Sequence, residues 1–129
     1  RWGRVVNISS FGVKQPVPGL TLSNSIRMAV LGWAKTLSNQ VAADNILVNT
    51  VCPGWTRTAR VASMVAHQSA ATGHDAQTVE NEIAKHIPLA RLGEAEEIAN
   101  MVVFFGSEAA SYITGTAIAV DGGAAQGYA

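Results

Sequence analysis

Two short β-branched runs, Arg4–Ser10 (RVVNISS) and Ile46–Cys52 (ILVNTVC), bracket the stretch Leu20–Ala42, and this arrangement limits the fold more than any other feature. Each run is apolar and ends in punctuation: Ser9-Ser10 before Phe11-Gly12 in the first, Pro53-Gly54 after the second. Between them Leu22, Ile26, Ala29, Val30, Trp33, Leu37 and Val41 recur at intervals of three and four, the signature of a helix with one apolar face to bury. Gly32 inside that stretch costs about 1 kcal/mol against alanine and suggests a close neighbour. Strand, crossover helix, strand is the βαβ unit of a parallel sheet, and such sheets place ligands outside the carboxyl ends of their strands. Ser23 and Arg27 are four apart and point the same way, on the flank of the expected buried stripe.

Val13–Gly19, with Pro16, Pro18 and Gly19, reads as a turn-rich connection into the helix. Beyond Pro53-Gly54 the chain changes character. Arg57–Ala71 and Ala76–His86 read as two short, weakly amphipathic helices broken at Thr72-Gly73-His74-Asp75, and their position after a strand's ligand-side end suggests a mobile lid over about residues 56–87. Glu94, Glu96 and Glu97 fall in the first turn of a further helix, where the macrodipole favours them, and Ile98, Met101, Val102 and Phe105 form its apolar face up to Gly106. Thr116–Val120 reads as a third strand, and Asp121-Gly122-Gly123 as a tight turn. The fold class is therefore α/β. Three parallel strands normally belong to a larger sheet covered on both faces, so the chain, 1–129, reads as the C-terminal part of a single doubly wound domain, truncated or completed by neighbouring copies.

Composition matters mainly for what it excludes. Formal net charge is zero, so no long-range field favours nucleic acid, and no run approaches the roughly 20 apolar residues that span a bilayer. Neither a nucleic acid nor a membrane is expected as partner. Arg1-Trp2-Gly3-Arg4 runs straight into a strand with no leader pattern, and the single Cys52 fits a reducing compartment, so the cytoplasm is the expected location. With apolar sequence neighbours, Cys52 reads as a buried inert thiol. His67, His74 and His86 lack the spacing of a metal site, so no metal is expected.

Five runs together carry a resemblance: GRVVNISS at 3–10, AVLGWAKTLS at 29–38, ILVNTVCPGWTRT at 46–58, IPLARLGEAEEIANMVVFF at 87–105 and YITGTAIAVDGG at 112–123. In this order they resemble the C-terminal half of short-chain dehydrogenases/reductases, and among them the bacterial carrier-protein ketoacyl reductases. The resemblance implies a Rossmann-type doubly wound parallel sheet, of which this chain holds the last three strands. It implies a cofactor, NAD or NADP, and interconversion of a small-molecule carbonyl or alcohol substrate. The family's glycine-rich phosphate-binding turn does not lie within this chain. By the same resemblance Ser10 takes the catalytic serine's place, thirteen residues before the tyrosine position. Pro53, Gly54, Thr56 and Thr58 match the loop beside the nicotinamide, and the long helix and last strand match surfaces used to form homo-oligomers.

The departure from the family is at its centre. The tyrosine position holds Ser23 and the lysine position holds Arg27, so Tyr-x-x-x-Lys has become Ser-x-x-x-Arg. The two tyrosines, Tyr112 and Tyr128, lie far downstream. A phenol's pKa near 10 can be lowered toward working pH by a neighbouring cation; a serine hydroxyl is a far weaker acid and is shorter by a ring. Arg27 can still hold ribose hydroxyls and positive charge, but with a pKa above about 12 it passes no proton on. Three readings follow: an oxidoreductase with impaired or altered chemistry; a non-catalytic nucleotide-binding or assembly subunit; and a serine hydrolase recruiting Ser10 or Ser23, which would need a base within reach.

Overall fold

The computed structural model describes residues 1–127. Strands β1 (Gly3–Ile8), β2 (Ile46–Pro53) and β3 (Ala117–Val120) form one sheet in the order β1-β2-β3, all parallel. Val5 stands opposite Val48 and Val51 opposite Ile118. Helix α1 (Thr21–Val41) crosses from β1 to β2, α2 (Ala59–Thr72) and α3 (Ala76–Ala84) follow β2, and α4 (Ala95–Gly106) leads toward β3. Alternation along β2 divides its side chains between two layers. Val51 packs with Phe105 of α4 and Ala110, with Ile98, Met101 and Val102 closing round them. On the other face Val48 and Thr50 look toward Leu31, Ala34 and Lys35 of α1.

Among the described strands β2 is buried along its interior, while β1, whose apolar run suggests a buried strand, is half-buried along its length and leaves Ile8 exposed, because it forms one edge of this sheet. The strands and helices otherwise fall where the periodicity puts them, with ends moved by a residue or two.

The long helix needs a larger correction. Its anticipated buried stripe faces outward: Leu22 is 74% exposed and Trp33 54%, with Ile26 and Val30 also open. The side laid on the sheet runs Ser23, Arg27, Leu31, Ala34, Ser38, which is one residue on from the apolar stripe and so rotated by about 100°. Small side chains decide this. Gly115 sits at φ +69, and a Cβ there would fall 2.5 Å from Ser38 Oγ and 2.8 Å from Lys35 Nζ, so the loop before β3 presses directly on the helix. Larger residues than Ala34 and Ser38 would hold it off. Gly32 has open space beside it rather than a close neighbour, and Trp33 stands out from the core.

Candidate active site

At the end of β1 the ladder continues through one more bond, Ser9 N–H to Val51 O at 2.8 Å. Ser10 then turns extended, at φ −161 and ψ 155, and its Oγ accepts the Gly12 N–H at 3.1 Å, capping a short 3-10 turn over Phe11–Val13. Asn24, in the first turn of α1, donates from Nδ2 to Val17 O at 3.2 Å and ties the β1–α1 loop to the helix. Ser10 is thereby fixed at the carboxyl edge of the sheet. Beneath it lies Cys52, fully buried; burial pushes its thiol up, against the opposing pull of Lys14 and the Ser10 N–H, so it stays protonated and unreactive.

Ser23 and Arg27 are on the sheet-facing line of α1, not beside it. Arg27 Nε donates to Ser23 Oγ at 3.2 Å, closing the pair into one unit. A guanidinium donates and never accepts, so it can stabilise charge on Ser23 without removing the hydroxyl proton. Neither Ser10 nor Ser23 has a histidine or carboxylate hydrogen-bonded to its hydroxyl among the described residues, which leaves a serine nucleophile without its base.

The segment after β2 does more than its sequence shows. Pro53 ends the strand, and Gly54 N–H is bound by Val120 O at 3.0 Å. Gly54 lies against the end of β3, with Asp121 where its side chain would be. Asp121 in turn accepts the N–H groups of Gly123 and Ala125 at 2.9 and 2.8 Å. Thr56 is 7% exposed and donates to Gly54 O at 3.1 Å, while Thr58 Oγ1 caps α2 by accepting the Val61 N–H. Both hydroxyls therefore have backbone tasks. Asn49, inside β2, likewise bonds Ile113 O at 2.8 Å and Thr116 N–H at 3.3 Å.

Arg57, between the two threonines, has no local signal in the sequence yet links three elements. It donates to Glu80 of α3 at 3.1 Å and to Glu94, the residue capping α4, at 2.6 Å. Trp55 stacks obliquely on Phe11, ring centres 6.5 Å apart and planes at 54°, over a cavity of about 530 Å³ between the β1–α1 loop and the end of α3.

At the start of α4, Glu94 and Glu97 form a capping box, and Arg91 donates to both oxygens of Glu97 at 2.8 and 2.7 Å. The Arg91 bond, reinforced by the Glu94 N–H, pulls Glu97 from an ordinary 4.5 down to about 2. A carboxylate held below its unfolded value stabilises the fold fully above about pH 4.5, and that contribution is lost as pH falls toward about 2. Asp75, held by the Thr78 N–H, and Glu82, bonded by Lys85, shift the same way. Melting temperature should therefore fall across that window, and Glu97→Gln should shrink the fall; superimposable profiles in scanning calorimetry would contradict the assignment.

Among the described residues no group of His, Cys, Asp and Glu can hold a metal, and His67, His74 and His86 are exposed. Among the described residues no helix is long and apolar enough to cross a membrane. Tyr112 is wholly exposed, and Tyr128 lies outside the described residues.

A parallel α/β layer with a serine at a strand's carboxyl end and a paired polar line on the crossover helix defines a class that sequence comparison makes explicit. A family model described as enoyl-(acyl carrier protein) reductase matches residues 1–125, and the chain belongs to the short-chain dehydrogenase/reductase family. It is 37% identical over 123 residues to 3-oxoacyl-(acyl-carrier-protein) reductase FabG of Aquifex aeolicus (strain VF5), covering 95% of this chain and 45% of that protein. It is also 37% identical over 122 residues to NADPH-dependent reductase BacG of Bacillus subtilis (strain 168), covering 95% and 47%. Among solved structures, L-sorbose reductase from Gluconobacter frateurii, complexed with NADPH and L-sorbose, superposes with a TM-score of 0.91 at 32% identity, covering 96% of this chain and 48% of that one. The chain spans about half the length of the curated relatives it matches.

Proposed function

We propose that this chain is the C-terminal part of an NAD(P)-dependent oxidoreductase acting on a small carbonyl or alcohol, with proton transfer impaired by Ser23 and Arg27. The observation that carries the reading is the Arg27–Ser23 pair lying on the sheet-facing line of α1, in the helix that follows the Ser10 loop. Relatives named as NADPH-dependent, or solved with NADPH, supply the cofactor class. The donors present fit such a group. The Nη groups of Arg27 have no hydrogen-bond partner among the described residues and suit ribose hydroxyls, whereas the open side of Gly54 is taken by Asp121 rather than offered to a ring. When bound, a nicotinamide exchanges hydride with the substrate. Ser10 would hold the substrate oxygen by a hydroxyl bond. Arg27 would keep positive charge nearby, and Ser23 would stand where a proton donor is needed, without the acidity for it. Thr56 and Thr58, engaged with backbone, would shape the loop rather than touch the ligand.

The helices α2 and α3 would act as a lid over about 56–87, held through Arg57 to α4. A cytoplasmic location goes with this reading. Calorimetric titration of the full-length protein with NADPH and NADH tests it: one of the two should bind, and Arg27→Ala should weaken that binding about tenfold. No binding of either would refute it.

One observation favours a second role, an assembly subunit in a homo-oligomer. The outward stripe Leu22, Ile26, Val30, Trp33 is a continuous apolar seam that water does not favour. A light-scattering mass above that of one chain supports assembly; a single-chain mass with a sharp melt contradicts it.

A further inference from the structure

We infer that the cavity under Phe11 and Trp55 selects a ligand with a flat apolar body and an anionic group; as a statement about substrate, this rests on the oxidoreductase reading above. The two aromatic residues come off the loops that end β1 and β2. Phe11 follows Ser10 directly, Trp55 follows Gly54, and their rings meet at a tilt, so together they present one aromatic wall against which a planar group can lie. Pro16, Pro18 and Pro88 line the same space. They bring no N–H donors and hold their backbone stiff, which favours an apolar body of fixed shape. The C-terminal segment closes a further side, drawn onto the loop where Gln126 N–H donates to Gln15 Oε1 at 2.8 Å.

Charge in this space has one sign. The ionisable side chains that line it are Lys85 and His86, at the end of α3, and no Asp or Glu does so among the described residues. Lys85 Nζ is bonded to Glu82 Oε1 at 2.5 Å, but both side chains are more than half exposed and Glu82 does not line the cavity. Such a surface pair is weak, and an ammonium with three donors keeps two for a ligand. A carboxylate entering with an aromatic ketone would therefore find its counter-charge at Lys85 while the ring lies against the Phe11–Trp55 wall.

Phenylglyoxylate and its methyl ester share a body and differ in charge, and their affinities for the full-length protein can be measured by calorimetry without added cofactor. The acid should bind about fivefold more tightly than the ester, the scale of a solvent-exposed ion pair. Lys85→Glu should remove or reverse that preference while ester affinity stays within about twofold, and Lys85→Gln should give an intermediate result. Equal affinities in the unaltered protein would overturn the inference. So would a preference surviving Lys85→Glu combined with His86→Gln, or binding of neither probe. A failure to bind either NADPH or NADH would refute the oxidoreductase reading alone, because the acid–ester comparison needs neither cofactor nor turnover.

Discussion

Ser23→Tyr combined with Arg27→Lys should raise carbonyl reduction by the full-length protein about a hundredfold or more, the usual contribution of a well-placed general acid. The scaffold for that change is in place. Position 23 is in the first turns of α1, position 27 lies one turn on, and the existing Arg27–Ser23 bond shows that the two side chains meet. A tyrosine would extend beyond the serine's reach and carry a phenol whose acidity a neighbouring ammonium can raise. Lysine would add what arginine lacks, a group able to release and regain its proton. Ser23→Tyr alone should recover only part of the gain, since Arg27 supplies charge without relay. Should the double variant bind NADPH and turn over no faster than the parent, the missing acid would not be what limits the protein, and the non-catalytic reading would gain.

Gly54→Ala should destabilise the fold by about 2–3 kcal/mol, the upper part of the range for overpacking. The added methyl would lie 2.6 Å from Asp121 Cβ and 2.7 Å from its Cα, and backbone cannot swing aside as a side chain can. Relief requires parting β2 from the end of β3, which breaks the Gly54–Val120 bond and strains the turn that Asp121 holds. Gly32→Ala is the matching control. That glycine has open space, and the substitution should be neutral or stabilising by up to about 1 kcal/mol through helix propensity. Chemical denaturation of both variants reads the difference directly, and equal midpoints would contradict the packing account.

The order of elements was legible because β-branched runs, a helical period and Gly/Pro punctuation agreed with one another along the chain. The rotation of α1 was not. Its apolar stripe is the strongest signal in the sequence, yet the sheet-facing side is set by how closely Gly115 and β2 approach, and closeness selects Ala34 and Ser38 rather than large side chains. Ser10, Ser23 and Arg27 could be located by motif, but the bond between the last two, and their place on the inner line, required coordinates. Thr56 looked like a hydroxyl offered to a ligand and is instead turned onto Gly54 O. The Arg57–Glu80–Glu94 link left no trace because its three members come from separate segments.

The proposed nucleotide site and the proposed loss of its proton donor can be separated in one experiment: titrate the full-length protein with NADPH and NADH, then follow oxidation of the one that binds in the same sample as a panel of ketones is added. Saturable binding with oxidation near the protein-free background is the expected result. Oxidation well above background that persists when Ser23 is changed to alanine would show that another group hands over the proton, and the account would fail.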